Sequence, residues 1–134
     1  MERSSGSAPP RQPGGSGRDG SDPFDVRIED SREGTSIVVI AGELDLSTIP
    51  RMEGPLFEQL GQRPAVLVDL TRLSFIDSSG IGVLIKAFQE SNGTSMHVVI
   101  GPDSQVDRVF RIAGVDEALP VFFDREAAFA ALRG

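Results

Sequence analysis

The chain has 134 residues with 13 basic and 20 acidic side chains, a formal net charge of −7 and a pI near 4.6. One acidic domain is expected, not a nucleic-acid binder, which needs a basic face to neutralise phosphate. No cysteine and a single histidine, His97, exclude disulfides, thiolate chemistry and thiolate-ligated metals, and leave almost nothing for a histidine-based metal site.

Residues 1–22 hold five Ser, five Gly and three Pro, with Met1 and Ala8 the only apolar side chains. Such a segment offers too little apolar surface to offset the entropy of ordering, and a disordered tail is expected, followed by one domain over residues 23–134. Val26 and Ile28 alternate with charged residues as on a half-exposed edge strand. After a turn at Glu33-Gly34, the run Ile37-Val38-Val39-Ile40-Ala41 reads as a strand buried on both faces, and the short turn predicts an antiparallel hairpin.

Ser47 is placed to cap a helix with Pro50 in its first turn and Ile49, Met52, Leu56, Phe57 and Leu60 on one side; Gly54-Pro55 predicts a kink or break midway. Gly61 and Pro64 end it, and Ala65 to Leu70 form a second buried strand. A helix follows from near Ser78, with Ile81, Leu84, Ile85 and Phe88 on a stripe, closed by Asn92-Gly93. Met96 to Ile100 read as a third buried strand. The next helix starts at Asp103 or Ser104, turns Val106, Val109, Phe110 and Ala113 inward, and stops at Gly114. Val121-Phe122-Phe123 is a short last strand, and Asp124 caps a closing helix that buries Ala128, Ala131 and Leu132. Strands alternating with helices predict a small α/β domain: a mixed, mostly parallel sheet of four to five strands, an antiparallel edge strand and about four helices.

No apolar run approaches the ~20 residues of a membrane span, and no basic start followed by an apolar run resembles a signal peptide. A cytoplasmic protein without membrane insertion is expected. In open parallel sheets, function collects where strands give way to helices, and the densest polar stretch of that kind is Phe75-Ile76-Asp77-Ser78-Ser79-Gly80-Ile81-Gly82. Gly80 and Gly82 alone do not make a nucleotide loop, and no Gly-x-Ser-x-Gly elbow is present. His97, inside an apolar strand, reads as a strand residue and not as a base. Glu43, Asp45, Asp69 and Asp77 would suit Mg²⁺ or acid–base chemistry if they converged, but strand-end aspartates more often cap the next turn or helix. A serine cap is likewise the plain structural reading of Ser78 or Ser79. Neither a catalytic set nor a cofactor site emerges, and a non-enzymatic protein is expected.

Taken together, Gly42-Glu43-Leu44-Asp45, the strand Val66-Leu67-Val68-Asp69-Leu70, the loop from Phe75 to Leu84 and Val109-Phe110-Arg111-Ile112-Ala113-Gly114-Val115 resemble the STAS domain, in particular bacterial anti-sigma factor antagonists, over roughly Val26 to Leu132. The resemblance implies partner switching. The unphosphorylated protein binds an anti-sigma factor that is also a serine kinase, and so frees a sigma factor; phosphorylation of a loop serine releases it, and a serine phosphatase resets it. By the same resemblance Ser78 is the phosphoacceptor, Ser79 its neighbour and Asp45 the acidic residue beside it. Asp45, Asp77, Ser78, Ser79, Gly80, Ile81 and Gly82 are then the expected partner surface. The alternative within the same family is a regulatory module of a transporter or a larger signalling assembly; a small enzyme or nucleotide-binding protein using the Asp/Ser loop is the remaining reading.

Overall fold

A computed structural model of the chain describes residues 23–30, 34–91 and 93–133. The tail expected over residues 1–22, and Glu33 and Asn92 of the two expected turns, lie outside the described residues.

The expected hairpin forms: β1 (Asp25–Asp30) pairs antiparallel with β2 (Thr35–Leu44), from Asp30 opposite Ser36 to Asp25 opposite Ala41. β3 (Ala65–Asp69), β5 (Ser95–Val99) and β6 (Val121–Phe122) extend the sheet in parallel, in the order β1-β2-β3-β5-β6. A further strand, β4 (Leu73–Ile76), pairs in parallel with the end of β2, where Gly42 to Leu44 lie beyond the β3 ladder. Among the described residues the sheet thus has six strands, and β4 is the one the apolar pattern does not single out: four residues with only Leu73 and Ile76 buried have no readable period.

Side chains alternate across β2. Val38 and Ile40 enter the main core with Val66, Val68, Met96 and Val98, beneath α1 (Ile49–Gln62), α2 (Ser78–Gln89) and α3 (Gln105–Ala113). Ile37 and Val39 face the other way with Leu67 and Val99, where α4 (Arg125–Arg133) covers them through Ala128 and Phe129. A sheet apolar on both faces needs helices on both, and the long β-branched runs supply this. α4 is further tied down by Arg125, which donates to Asp69 at 2.7 Å and to Glu29 at 3.2 Å.

Several local expectations shift. α1 begins at Ile49 with Thr48, not Ser47, in the capping position, because Asp45 draws both residues into its own turn: its Oδ1 accepts from the Ser47 N–H at 3.0 Å and the Ser47 hydroxyl at 2.7 Å. Pro55 does not break α1, which runs on to Gln62. Met52 before it and Leu56 and Leu60 after it are buried in one core, and that packing outweighs the lost hydrogen bond. The inward stripe of α3 is Val106, Asp107 and Phe110, leaving Ala113 exposed as the chain turns away at the left-handed Gly114 (φ 66°). On α4, Ala131 is exposed, because contact with the sheet narrows to Ala128 and Phe129. Phe123 lies outside β6 and is 52% exposed.

Candidate functional site

The polar stretch picked out in the sequence sits where β4 enters α2, beside the end of β2. Gly42 makes this possible. With φ +102° it bends β2 where the register to β4 shifts, and a Cβ there would stand 2.8 Å from both the Cα of Phe24 and the carbonyl oxygen of Pro23. The bend brings Leu44 opposite Ile76, and the Asp77 N–H donates to the Leu44 carbonyl at 3.3 Å. Asp45 and Asp77 therefore leave adjacent strand ends at one edge of the domain.

Each carboxylate is occupied locally. Besides its bonds to Ser47, Asp45 accepts from the Thr48 N–H at 3.3 Å. Asp77 is the N-cap of α2: its Oδ1 accepts the Gly80 N–H at 3.0 Å and the Ser79 hydroxyl at 2.6 Å. The Ser79 hydroxyl foremost, with backbone N–H groups against a smaller cost of burial, holds the Asp77 carboxyl below the usual carboxylate range. Asp69 points to the opposite face. Burial would raise its pKa, but the Thr71 hydroxyl and N–H at 2.7 and 2.8 Å, together with Arg125, bring it below the ordinary value. The carboxylates thus cap and pair without converging, and among the described residues no group of three or more His, Asp or Glu is placed to hold a metal ion.

The two serines differ sharply. Ser79 is half-buried and bound to Asp77. Ser78, the first residue of α2, is exposed, and its hydroxyl makes no hydrogen bond with a described residue. It is not the helix cap, since Asp77 fills that role. Of the other residues expected on the surface, Gly80 and Ile81 are buried. A Cβ on Gly80 would lie 2.9 Å from Ile76 Cγ1 and 3.1 Å from the Leu44 carbonyl oxygen, so this glycine lets α2 close onto the strand ends and supports the site from beneath. Gly82 is exposed, one turn beyond Ser78 on the same side of the helix, with open space where a Cβ would be. His97 is on β5, stacked on Phe122 at 5.2 Å with an interplanar angle of 1°, and burial pushes its pKa down. It serves neither serine.

Two apolar residues beside the site are not among the partner-surface residues expected from the sequence. Leu46, next to Asp45, is 75% exposed, and Phe75 on β4 is 38% exposed. An apolar residue between Asp45 and Ser47, just past a strand end, is the only hint the sequence gives of the first. Gln105, which binds the backbone of Ile76 from α3, has no local signal at all.

The arrangement is a presented serine hydroxyl, flanked by capping carboxylates and exposed apolar side chains, with no general base among the described residues in contact with it. Such a surface suits docking and modification by another protein. Among the described residues no helix is long and apolar enough to cross a membrane.

Comparison with known proteins gives this surface a context. An anti-sigma-B factor antagonist of Staphylococcus aureus is 30% identical over 87 residues, covering 63% of this chain and 80% of that protein. The crystal structure of an anti-sigma factor antagonist from Mycobacterium paratuberculosis superposes with a TM-score of 0.76 at 26% identity, covering 83% of this chain and 95% of that one. The Bacillus cell fate determinant SpoIIAA in its phosphorylated form shares the fold at a TM-score of 0.58 and 21% identity, over 80% of this chain and 99% of that one. The STAS domain family model matches residues 28–128, spanning every strand and the start of every helix described above bar the first residues of β1, and the chain belongs to the STAS domain family.

Proposed function

We propose that this STAS protein is an anti-sigma factor antagonist whose hold on its anti-sigma factor is switched by phosphorylation of Ser78. The observation that carries the switch is the contrast between the exposed, unengaged Ser78 hydroxyl and the Ser79 hydroxyl bound to Asp77. The names of its relatives support the antagonist role. The partner is an anti-sigma factor with serine kinase activity, a serine phosphatase resets the cycle, and both act in the cytoplasm. Asp45, Leu46, Phe75, Ser78 and Gly82 form the outer docking surface, with Asp77, Ser79, Gly80 and Ile81 holding it in shape.

A phosphoserine carries about −1.5 to −2 charges near neutral pH. As the first residue of α2, Ser78 would hold that charge at the positive end of the helix dipole, so modification leaves the fold intact. The docking surface is less tolerant. At ~6 Å and an effective dielectric of ~40, each unit like-charge pair that the phosphate makes with a carboxylate of the partner costs about 1.4 kcal/mol, a tenfold effect on binding, whereas its repulsion by Asp45 and Asp77 is present in the free protein as well. Added bulk and desolvation in an interface weaken binding further.

The test is to incubate the protein with ATP and candidate serine-kinase anti-sigma factors and to map the product by mass spectrometry. One phosphoryl group on Ser78 is expected; fragment ions placing it on Ser79 alone would overturn the assignment. By calorimetry, Ser78→Ala should bind the anti-sigma factor and resist release, while Ser78→Asp binds more weakly with its fold unchanged. Phosphorylated protein that binds as tightly as the parent would end the partner-switching account.

A further inference from the structure

β4 is paired with a strand on one edge only: among the described residues its partner is β2. The Asp77 N–H faces β2, donating to Leu44, and by the alternation of a strand the N–H and C=O of Ile76 face the other way. A side chain takes the place of the missing strand there. Gln105 Oε1 accepts the Ile76 N–H at 3.0 Å, and Gln105 Nε2 donates to the Ile76 carbonyl at 3.1 Å. A neutral carboxamide offers an acceptor and a donor side by side, which is what one residue of a neighbouring strand would offer.

Both ends of this link are anchored. Gln105 is the first residue of α3, and Ser104 before it is fixed as N-cap by the Asp107 N–H at 3.1 Å and by its own donation to the Gly101 carbonyl at 2.6 Å. Ile76 is buried, and it immediately precedes Asp77, whose carboxylate caps α2 and holds Ser79. We infer that Gln105 is a positioning residue for the phosphoacceptor loop: by closing the outer edge of β4 it fixes Ile76, hence the Asp77 cap, hence the outward presentation of Ser78. The functional meaning rests on Ser78 being the phosphoacceptor; the mechanical link does not. Without the carboxamide, the N–H and C=O of Ile76 lose their partner, and the turn into α2 loosens while the central sheet is untouched.

The chain has no cysteine, so Ser78→Cys creates a unique attachment point for a nitroxide spin label, and Gln89→Cys provides a control at the far end of the same helix. Gln105→Met keeps the length of the side chain and removes both hydrogen bonds. In the full chain, Gln105→Met should sharpen the paramagnetic resonance spectrum of the label at 78 and leave that at 89 unchanged. The Ile76 amide should lose up to about tenfold of its hydrogen-exchange protection, as expected for a single hydrogen bond worth up to ~1.4 kcal/mol, while the Leu67 and Val98 amides keep theirs. Equal changes at 78 and 89, or none at 78, would overturn the positioning role, as would unchanged protection of Ile76. If Gln105→Met fails to fold, Gln105→Glu serves: it keeps the acceptor for the Ile76 N–H and loses the donor to the Ile76 carbonyl, and label 78 alone must again become more mobile. A mobile label 78 with phosphate found elsewhere than Ser78 would support the link and overturn only the phosphoacceptor reading. An unmoved label with phosphate on Ser78 would do the reverse.

Discussion

Two of the strand-to-helix corners of this domain, those that open α2 and α3, start from nearly the same words and end in opposite states. Asp77-Ser78-Ser79 opens α2, and Asp103-Ser104-Gln105 opens α3. At the α3 corner, Asp103 takes a left-handed conformation (φ 60°) and stands outside the helix, so Ser104 becomes the cap. Its hydroxyl is used twice, Asp107 accepts the Asp103 N–H at 2.8 Å, and Arg111 closes on Asp107 at 3.4 Å. At the α2 corner the frame is displaced by one residue: Asp77 is the cap, and Ser78 moves into the first helical position, its hydroxyl without a partner among the described residues. A serine at a helix start is therefore structural or available according to a single residue of register. The neighbouring elements set that register, since Asp77 is held by the β2 ladder on one side and, through Ile76, by Gln105 on the other.

The contrast can be broken or sharpened by substitution, beginning with the residue on which the α2 corner is built. Gly80→Ala forces a methyl into Ile76 and the Leu44 carbonyl, and should destabilise the domain by about 1–3 kcal/mol in denaturant titration despite the better helix propensity of alanine. An unchanged midpoint would mean that α2 does not need that close approach.

The serines come next. Ser104→Ala removes a working cap and should cost about 1–2 kcal/mol, whereas Ser78→Ala should stay within about 0.5 kcal/mol of the parent. Equal losses in thermal unfolding would erase the difference between the two corners. Gly82→Ala should shift stability in the opposite direction to Gly80→Ala, raising it by up to about 1 kcal/mol, because nothing in the domain fills the space at Gly82 and glycine is a poor helix residue. If Gly82 is kept for a docking partner, the same variant should lose affinity for the anti-sigma factor while gaining stability, a split that calorimetry with unfolding data would resolve.

The smallest effect is the titration of Asp77. Its folded pKa lies below the unfolded value of ~3.9, so the folded state binds this proton less readily than the unfolded chain. The cap's contribution is complete above that value and is lost as the pH falls through the folded pKa. Ser79→Ala removes the leading cause, and carboxyl NMR should then find Asp77 titrating closer to the ordinary range; no movement would mean that the Ser79 hydroxyl does not hold the carboxylate.

What the sequence determined by itself is the local physics. The β-branched runs of β2, β3 and β5, the turn glycine at Gly114, the cap at Asp124, and the motif from Phe75 to Leu84 are statements about neighbours along the chain, legible because propensity and periodicity act over a few residues. Tertiary structure decided what depends on distant partners. It carried α1 through Pro55, made a strand of Leu73 to Ile76, left Ala113 and Ala131 in solvent, and separated buried Gly80 from exposed Gly82. It also joined Asp69 to Arg125 across 56 positions and Ile76 to Gln105 across 29. No local pattern encodes those last two contacts, because each depends on where two separately folded elements come to rest against the sheet. The free hydroxyl of Ser78 is of the same kind: the motif names the serine, but only the packed ends of β2 and β4 put Asp77 in the cap and leave Ser78 outside it.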